Sequence, residues 1–270
     1  MDRKIAFIGA GSLAEALIAG IIKAEVVVKE NIYVTNKDNT ERLAYIQDRY
    51  QVQCSAWKEE LTRNADIIIL AMKPHDAKAS LASIKSYLNK NQLIISAMAG
   101  ITATDIEHAA GLNIPVVRVM PNTSALIGSS ATAISPGSYA NEDHIQLTDE
   151  LFQTVGITKI VDEKDMHTVT AISGSGPAYI YYLVEALEKA AIEAGLDHNT
   201  ASELIAQTVI GAGEMLQQSG EKPAVLRKNI TSPGGTTEAG INDLKHHGFQ
   251  EMIASCVNHA RNRSIDLGKN

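Results

Sequence analysis

IAFIGAGSLAEALIAG, residues 5–20, is the stretch from which the fold is read. Ile5-Ala6-Phe7-Ile8 is a short apolar run of the kind that forms a parallel strand covered on both faces. Gly9-Ala10-Gly11-Ser12-Leu13-Ala14 follows at once, and Leu13, Leu17, Ile18 and Ile21 then recur at helical spacing. Strand, glycine turn and helix in direct succession are the context in which G-x-G-x-x-G/A reads as a dinucleotide site. Gly9 permits the tight turn, Gly11 lets a pyrophosphate approach the backbone, and the small Ala14 lets helix pack on strand. The N–H groups at the helix start, around Ser12 and Leu13, then face the phosphates. The alternative is a glycine-rich turn in another kind of α/β protein. The position between a strand and a helix argues against it.

The remaining composition is that of an ordinary soluble protein. The chain has 270 residues, 45% of them hydrophobic and 20% charged, with a formal net charge of −7. That length suits a large core and two domains. No basic run or basic–aromatic interleaving is present, which excludes nucleic acid as an expected partner. Cys54 and Cys256 match no metal spacing, so a reducing cytoplasm and two buried or inert thiols are expected. Arg3 and Lys4 ahead of an apolar stretch imitate an export signal, but Glu15 interrupts it and the glycine pattern explains it otherwise. No stretch of the ~20 residues needed to span a membrane is both uncharged and continuously apolar.

Ile32-Tyr33-Val34-Thr35 is the expected second strand, followed by Asn36-Lys37-Asp38. An acidic residue at this strand end binds the ribose 2′-hydroxyl of NAD. Asn36 and Lys37 suit a 2′-phosphate better and favour NADPH, with NADH as the alternative because Asp38 is near enough to serve as the acid. A short strand starts at Val52. Asp66-Ile67-Ile68-Ile69-Leu70 is the clearest buried strand and leads into Ala71-Met72-Lys73-Pro74. Ligands of open α/β sheets sit beyond the C-terminal strand ends, which places Lys73 near a cofactor, with Pro74 opening a new helix. Residues 93–96 form the next strand, ending in Ala97-Met98-Ala99-Gly100, and residues 116–120 another, ending in Pro121-Asn122-Thr123. Ala99, Gly100 and Asn122 thereby join one crevice. A helix over 141–154 and a last strand over 157–161 complete a doubly wound sheet of about eight strands, within a dinucleotide-binding domain over residues 1–162.

From Asp165 helical periods replace the alternation, and residues 163–270 read as an all-helical domain. Ser173-Gly174-Ser175-Gly176-Pro177 is expected to break one helix before the next, over 178–194, which stops at Gly195. Gly211 and Gly213 inside a helix over 199–218 suggest close helix contact. Apolar helices rich in Ala and Gly have more face than they can bury alone and invite a second subunit.

No metal set is visible: the eight histidines are scattered and no H-x-x-x-H pair occurs. No nucleophilic triad stands out, so the chemistry leans on a cofactor. Thr231-Ser232-Pro233-Gly234-Gly235-Thr236-Thr237 is a polar glycine loop whose backbone N–H groups and hydroxyls suit a carboxylate. The positive end of the following helix adds to that. A well-capped helix–helix connection is the competing explanation.

Five ordered stretches resemble pyrroline-5-carboxylate reductases: Phe7-Ile8-Gly9-Ala10-Gly11, Ala71-Met72-Lys73-Pro74, Arg118-Val119-Met120-Pro121-Asn122-Thr123, Ser173-Gly174-Ser175-Gly176-Pro177-Ala178-Tyr179, and LRKNITSPGGTTEAGINDL over 226–244. The resemblance covers the whole chain and implies reduction of the cyclic imine 1-pyrroline-5-carboxylate to L-proline by NADPH or NADH, the last step of proline synthesis. It implies that Ser232, Gly234, Gly235, Thr236 and Thr237 hold the substrate carboxylate, with Thr237 beside the ring nitrogen. It also implies that helical domains of two subunits interlock as a homodimer and that dimers assemble into decamers. Ser12 stands where many relatives carry a longer polar residue, and Ser124 where a proline is common. β-Hydroxyacid dehydrogenases are similar in layout, but Ile180 and Val184 stand where their lysine and asparagine would be, which argues against an alcohol substrate. An imine reductase for another ring size, and a catalytically silent dinucleotide-binding relative, are the remaining alternatives.

Overall fold

The computed structural model describes residues 2–268; the outer limits of the expected domains, at 1 and 270, lie outside the described residues. Strands β1 (Ile5–Ile8), β2 (Ile32–Thr35), β3 (Gln53–Cys54), β4 (Ile67–Leu70), β5 (Leu93–Ser96), β6 (Val116–Met120), β7 (Ser130–Pro136) and β8 (Gly156–Ile160) form one sheet in the order β3-β2-β1-β4-β5-β6-β7-β8. All neighbours pair parallel except β6 and β7, which run antiparallel.

The side-chain period of two in β1 shows why the sheet is wound on both faces. Ile5 and Phe7 join a core with Leu17 and Ile18 of the helix Ser12–Lys23 and with Leu151 and Phe152 of the helix Glu142–Gln153. Ala6 and Ile8 face the other way, into a core with Leu81 and Ile84 of the helix Ala77–Ile84 and Ile106 of the helix Ala103–Ala110. All four β1 side chains are buried, as a central strand without polar alternation requires.

Two elements differ from the sequence expectation. β7 was not anticipated: its SATAISP sequence has only one bulky β-branched aliphatic side chain and ends in proline, so no apolar run announces it. Pairing with β6 and β8 makes it a strand. The Ser173–Pro177 stretch does not break the helical path. A short helix Met166–Val169 continues as a π-helical turn over Thr170–Gly174, closed by Ser175 N–H donating to the Thr170 carbonyl at 2.8 Å. The next helix, Gly176–Glu193, begins two residues earlier than expected. Pro177 fits there because a first-turn N–H has no intrahelical acceptor to lose.

Compactness separates the described residues up to Pro177, together with those from His259 onward, from a second unit, Ala178–Asn258. The first unit keeps the end of the helix Phe249–Leu267, where His167 Nδ1 lies 3.0 Å from the Oγ of buried Ser264. The second unit holds most of Gly176–Glu193, all of His198–Gln218, Pro223–Asn229 and Thr236–His246, and the start of Phe249–Leu267. Within it Tyr182 is 76% exposed and Leu204 58%, so its apolar faces lack cover from the chain itself. A Cβ added at Gly211 or Gly213 would meet nothing within 4 Å, so these glycines do not mark a helix contact inside the chain.

Candidate active site

The strand order reverses between β1 and β4, the switch point at which open α/β sheets bind ligands. A cleft of about 480 Å³ opens there. It is lined by Gly9, Gly11, Asn36, Lys37, Ala71, Met72 and Lys73, seven of the expected cofactor residues. Gly9 has φ +112°, and a Cβ there would sit 2.6 Å from the Ala71 carbonyl oxygen, so no side chain fits where β1 passes β4. Gly11 differs: it is the N-cap of the Ser12–Lys23 helix, receives no side-chain cap, and a Cβ on it would meet nothing within 4 Å. The first-turn N–H groups have no intrahelical acceptors, and the space beside Gly11 is open. That geometry fits a pyrophosphate.

A second cavity of about 340 Å³ includes Ser12, Leu13, Asn122, Thr170 and Gly174 in its lining. Asn122 accepts from Ser124 N–H at 3.0 Å and donates to the Ser173 carbonyl at 3.0 Å, which ties the end of β6 to the π turn. Ser12, Leu13 and Asn122 thus meet here and not in the larger cleft. Pro74, Ala99 and Gly100 line neither cavity. Pro74 opens a 3₁₀ turn, Pro74–Asp76. Gly100, at φ +81°, is packed against Leu267 and Gly268, whose atoms lie 3.0–3.2 Å from where its Cβ would be.

At the β2 end, Asn36 Oδ1 accepts from the N–H groups of Asp38 and Asn39, each at 3.3 Å. Lys37 is exposed, with its Nζ 4.0 Å from Asp38. Asn39 in turn caps the helix Thr40–Tyr50 by accepting from Arg42 N–H at 2.8 Å.

The polar glycine loop lies in the second unit. It is shorter than expected, because Thr236 and Thr237 already belong to the helix Thr236–His246, with Gly235 as its N-cap. Gly234 takes φ +74°. Its N–H donates to Glu238 Oε2 at 2.8 Å, and Gly235 N–H donates to the Ser232 carbonyl at 3.0 Å. Those two donors are therefore engaged within the loop, and the first-turn N–H groups of Thr236 and Thr237 are the ones that helix geometry leaves without an intrahelical acceptor. Glu238 carried no signal in the sequence, since its role depends on where the loop folds.

Of the thiols, Cys54 is half-buried and burial pushes it up to about 11, while Cys256 is exposed rather than buried. Among the described residues no group of three His, Cys, Asp or Glu could hold a metal ion, and no helix is long and apolar enough to cross a membrane.

Residues 163–267 match the family model for pyrroline-5-carboxylate reductase dimerisation, and residues 4–100 match that for NADP oxidoreductase, coenzyme F420-dependent. Pyrroline-5-carboxylate reductase 1 of Bacillus spizizenii is 48% identical over 98% of this chain and 90% of its own length. Pyrroline-5-carboxylate reductase 2 of Bacillus subtilis is 48% identical over 98% and 95%. Among solved structures, a pyrroline-5-carboxylate reductase from Coxiella burnetii superposes with TM-score 0.92 at 33% identity over all of both chains. A Plasmodium falciparum pyrroline carboxylate reductase with NADP bound gives TM-score 0.89 at 32% identity over 99% of this chain and 98% of that one.

Proposed function

The chain belongs to the pyrroline-5-carboxylate reductase family, and from that membership we propose how its residues divide the work of reducing a cyclic imine. The reaction is conversion of 1-pyrroline-5-carboxylate to L-proline with NAD(P)H as cofactor. The chain self-associates.

Residues 1–162 hold the cofactor and residues 163–270 hold the substrate and the partner subunit. Gly9, Gly11, Ser12 and Leu13 seat the pyrophosphate, Asn36 and Lys37 the ribose end, and Ala71, Met72, Lys73, Pro74, Ala99, Gly100 and Asn122 the strand-end side of the crevice. When bound, the reduced nicotinamide supplies the hydride. Lys37 beside the ribose favours NADPH over NADH.

Protonation of the ring nitrogen makes the neighbouring ring carbon electrophilic, so the protein needs no strong acid. Its task is orientation. The uncapped helix start at Thr236, behind the Ser232–Gly235 turn, carries this reading: it offers N–H groups, hydroxyls and the positive helix end to a carboxylate. Ser232, Gly234, Gly235, Thr236 and Thr237 form that seat. Gly234 N–H contributes once the Glu238 carboxylate gives way. The Thr237 hydroxyl orients the iminium N–H. The assembly is a homodimer that builds to a decamer, working in the cytoplasm.

The test is oxidation of NADPH and of NADH, followed at 340 nm, with 1-pyrroline-5-carboxylate and with its six-membered analogue. Fast oxidation with the five-membered ring alone, and faster with NADPH, is the expected result. Folded protein that binds NADPH but oxidises it with neither ring would overturn the assignment.

A further inference from the structure

The glycine turn is held from behind by a side chain that does not itself line the cleft and belongs to no recognised motif. Arg42, on the helix Thr40–Tyr50, donates from Nε to the Ala10 carbonyl at 2.8 Å. Its Nη2 pairs with Glu15 Oε2. Ala10 is the middle residue of Gly9-Ala10-Gly11, and Glu15 lies in the first turn of the helix that follows. Glu15 also accepts from Tyr50 OH at 2.9 Å and Tyr45 OH at 3.1 Å, and Arg49 donates to Tyr45 OH at 2.5 Å.

Two features of this arrangement are adverse to an anion unless Arg42 is present. A carboxylate in the first turn opposes the helix's attraction for phosphate, and the Glu15 side chain is only 15% exposed, so water screens it poorly. A turn that must show N–H groups to a pyrophosphate must also keep its carbonyls turned away. Arg42 neutralises the first and tethers the second. Burial alone would raise the Glu15 carboxyl, but the hydrogen bonds from Arg42 and Tyr50 bring it below the usual value, so the pair is ionised. Because Arg42 N–H is also the group that Asn39 caps, the same residue links the ribose loop to the phosphate turn.

We infer that Arg42, matched by Glu15, is a positioning residue for the phosphate turn of the coenzyme site and not a ligand of the 2′-phosphate. This rests on the coenzyme reading of the cleft. Its consequence is that NADPH and NADH, which share the pyrophosphate, must suffer equally when Arg42 is lost.

The experiment is direct binding of NADPH and NADH, by protein fluorescence or calorimetry, to wild type, Arg42→Met, Arg42→Lys and Arg42→Met/Glu15→Gln. Thermal unfolding of each shows which variants are folded. Wild type that bound neither coenzyme would refute the coenzyme reading itself. Given wild-type binding, Arg42→Met should raise both Kd values by the same factor, about tenfold for the loss of a charge-assisted contact and exposure of its counter-charge. Arg42→Lys keeps the ion pair but loses the fork, and should raise both by a smaller common factor. Removing the orphaned carboxylate in the double variant should recover part of the loss, while KM for the imine stays at the wild-type value throughout. A loss confined to NADPH, or unchanged Kd values in a folded Arg42→Met or Arg42→Lys variant, would overturn the inference.

Discussion

Arg118 lies in the middle of β6, and Glu163 is its counter-charge; the two should not be equivalent when mutated. Arg118 is 1% exposed; its guanidinium donates from Nη1 to Glu163 Oε1 at 3.0 Å and leaves Nε without a hydrogen-bond partner. The same carboxylate oxygen accepts from Ala103 N–H at 2.8 Å. Glu163→Ala therefore leaves a buried cation uncompensated and an Ala103 donor unpaired. Breaking a fully buried pair from one side costs about 3–5 kcal/mol. Glu163 is 31% exposed, so water screens part of the loss and about 2–3 kcal/mol is expected. Arg118→Met removes the charge and the unpartnered Nε together, keeps much of the apolar stem, and leaves Glu163 free to turn to water while still serving Ala103. About 0–1 kcal/mol is expected there, as when a buried ion pair is replaced by apolar groups. The double variant has no buried charge left and should be no less stable than Glu163→Ala alone. Urea unfolding of the three variants and wild type at one fixed protomer concentration measures this, since self-association makes the midpoint concentration-dependent. Arg118→Met being the more damaging single change would refute the reasoning, because the pair's worth would then lie in packing and hydrogen bonding rather than in neutralising a buried charge.

Gly9→Ala forces a Cβ to 2.6 Å from a backbone oxygen at φ +112°, and should cost about 3 kcal/mol or more in stability together with coenzyme affinity; wild-type melting and binding would contradict the packing described at β4. His167 is held below its ordinary value first by burial and then by Arg118 and Arg261. Its folded value lies below its unfolded one, so the stability it contributes is present above the unfolded value and is lost as pH falls through the folded one. Denaturation midpoints should therefore drop below about pH 6.5, and less steeply in His167→Gln; equal slopes would remove His167 from the acid sensitivity. Thr237→Ala should lower kcat without abolishing it and Thr237→Ser should restore most of it. Steady-state kinetics identical to wild type in Thr237→Ala would take the hydroxyl out of the reaction.

The doubly wound sheet was legible in the sequence because its central strands are buried on both faces and so appear as unbroken apolar runs, above all Ile5–Ile8 and Ile67–Leu70. The glycine turn was legible because the positive φ of Gly9 and its close approach to Ala71 demand glycine there, and because a strand and a helix flank it directly. The helix starts around the polar loop were legible to within a few residues for the same reason. β7 was not, because Ser130–Pro136 becomes a strand only by pairing with neighbours on both sides. Nor was the π turn, since the Ser175–Thr170 hydrogen bond lets serines and glycines continue a helical path they were expected to end. The roles of Arg42, Glu15, Arg118 and Glu163 depend on residues 27 and 45 positions apart in the chain. Local periodicity and turn chemistry carry information over a few residues, and so the sequence by itself determined the family, the glycine turns and every strand and helix that such local signals mark. Which charge is neutralised by which, and which N–H the loop keeps for itself, was decided only where tertiary packing brought distant groups within a few ångströms and shut water out.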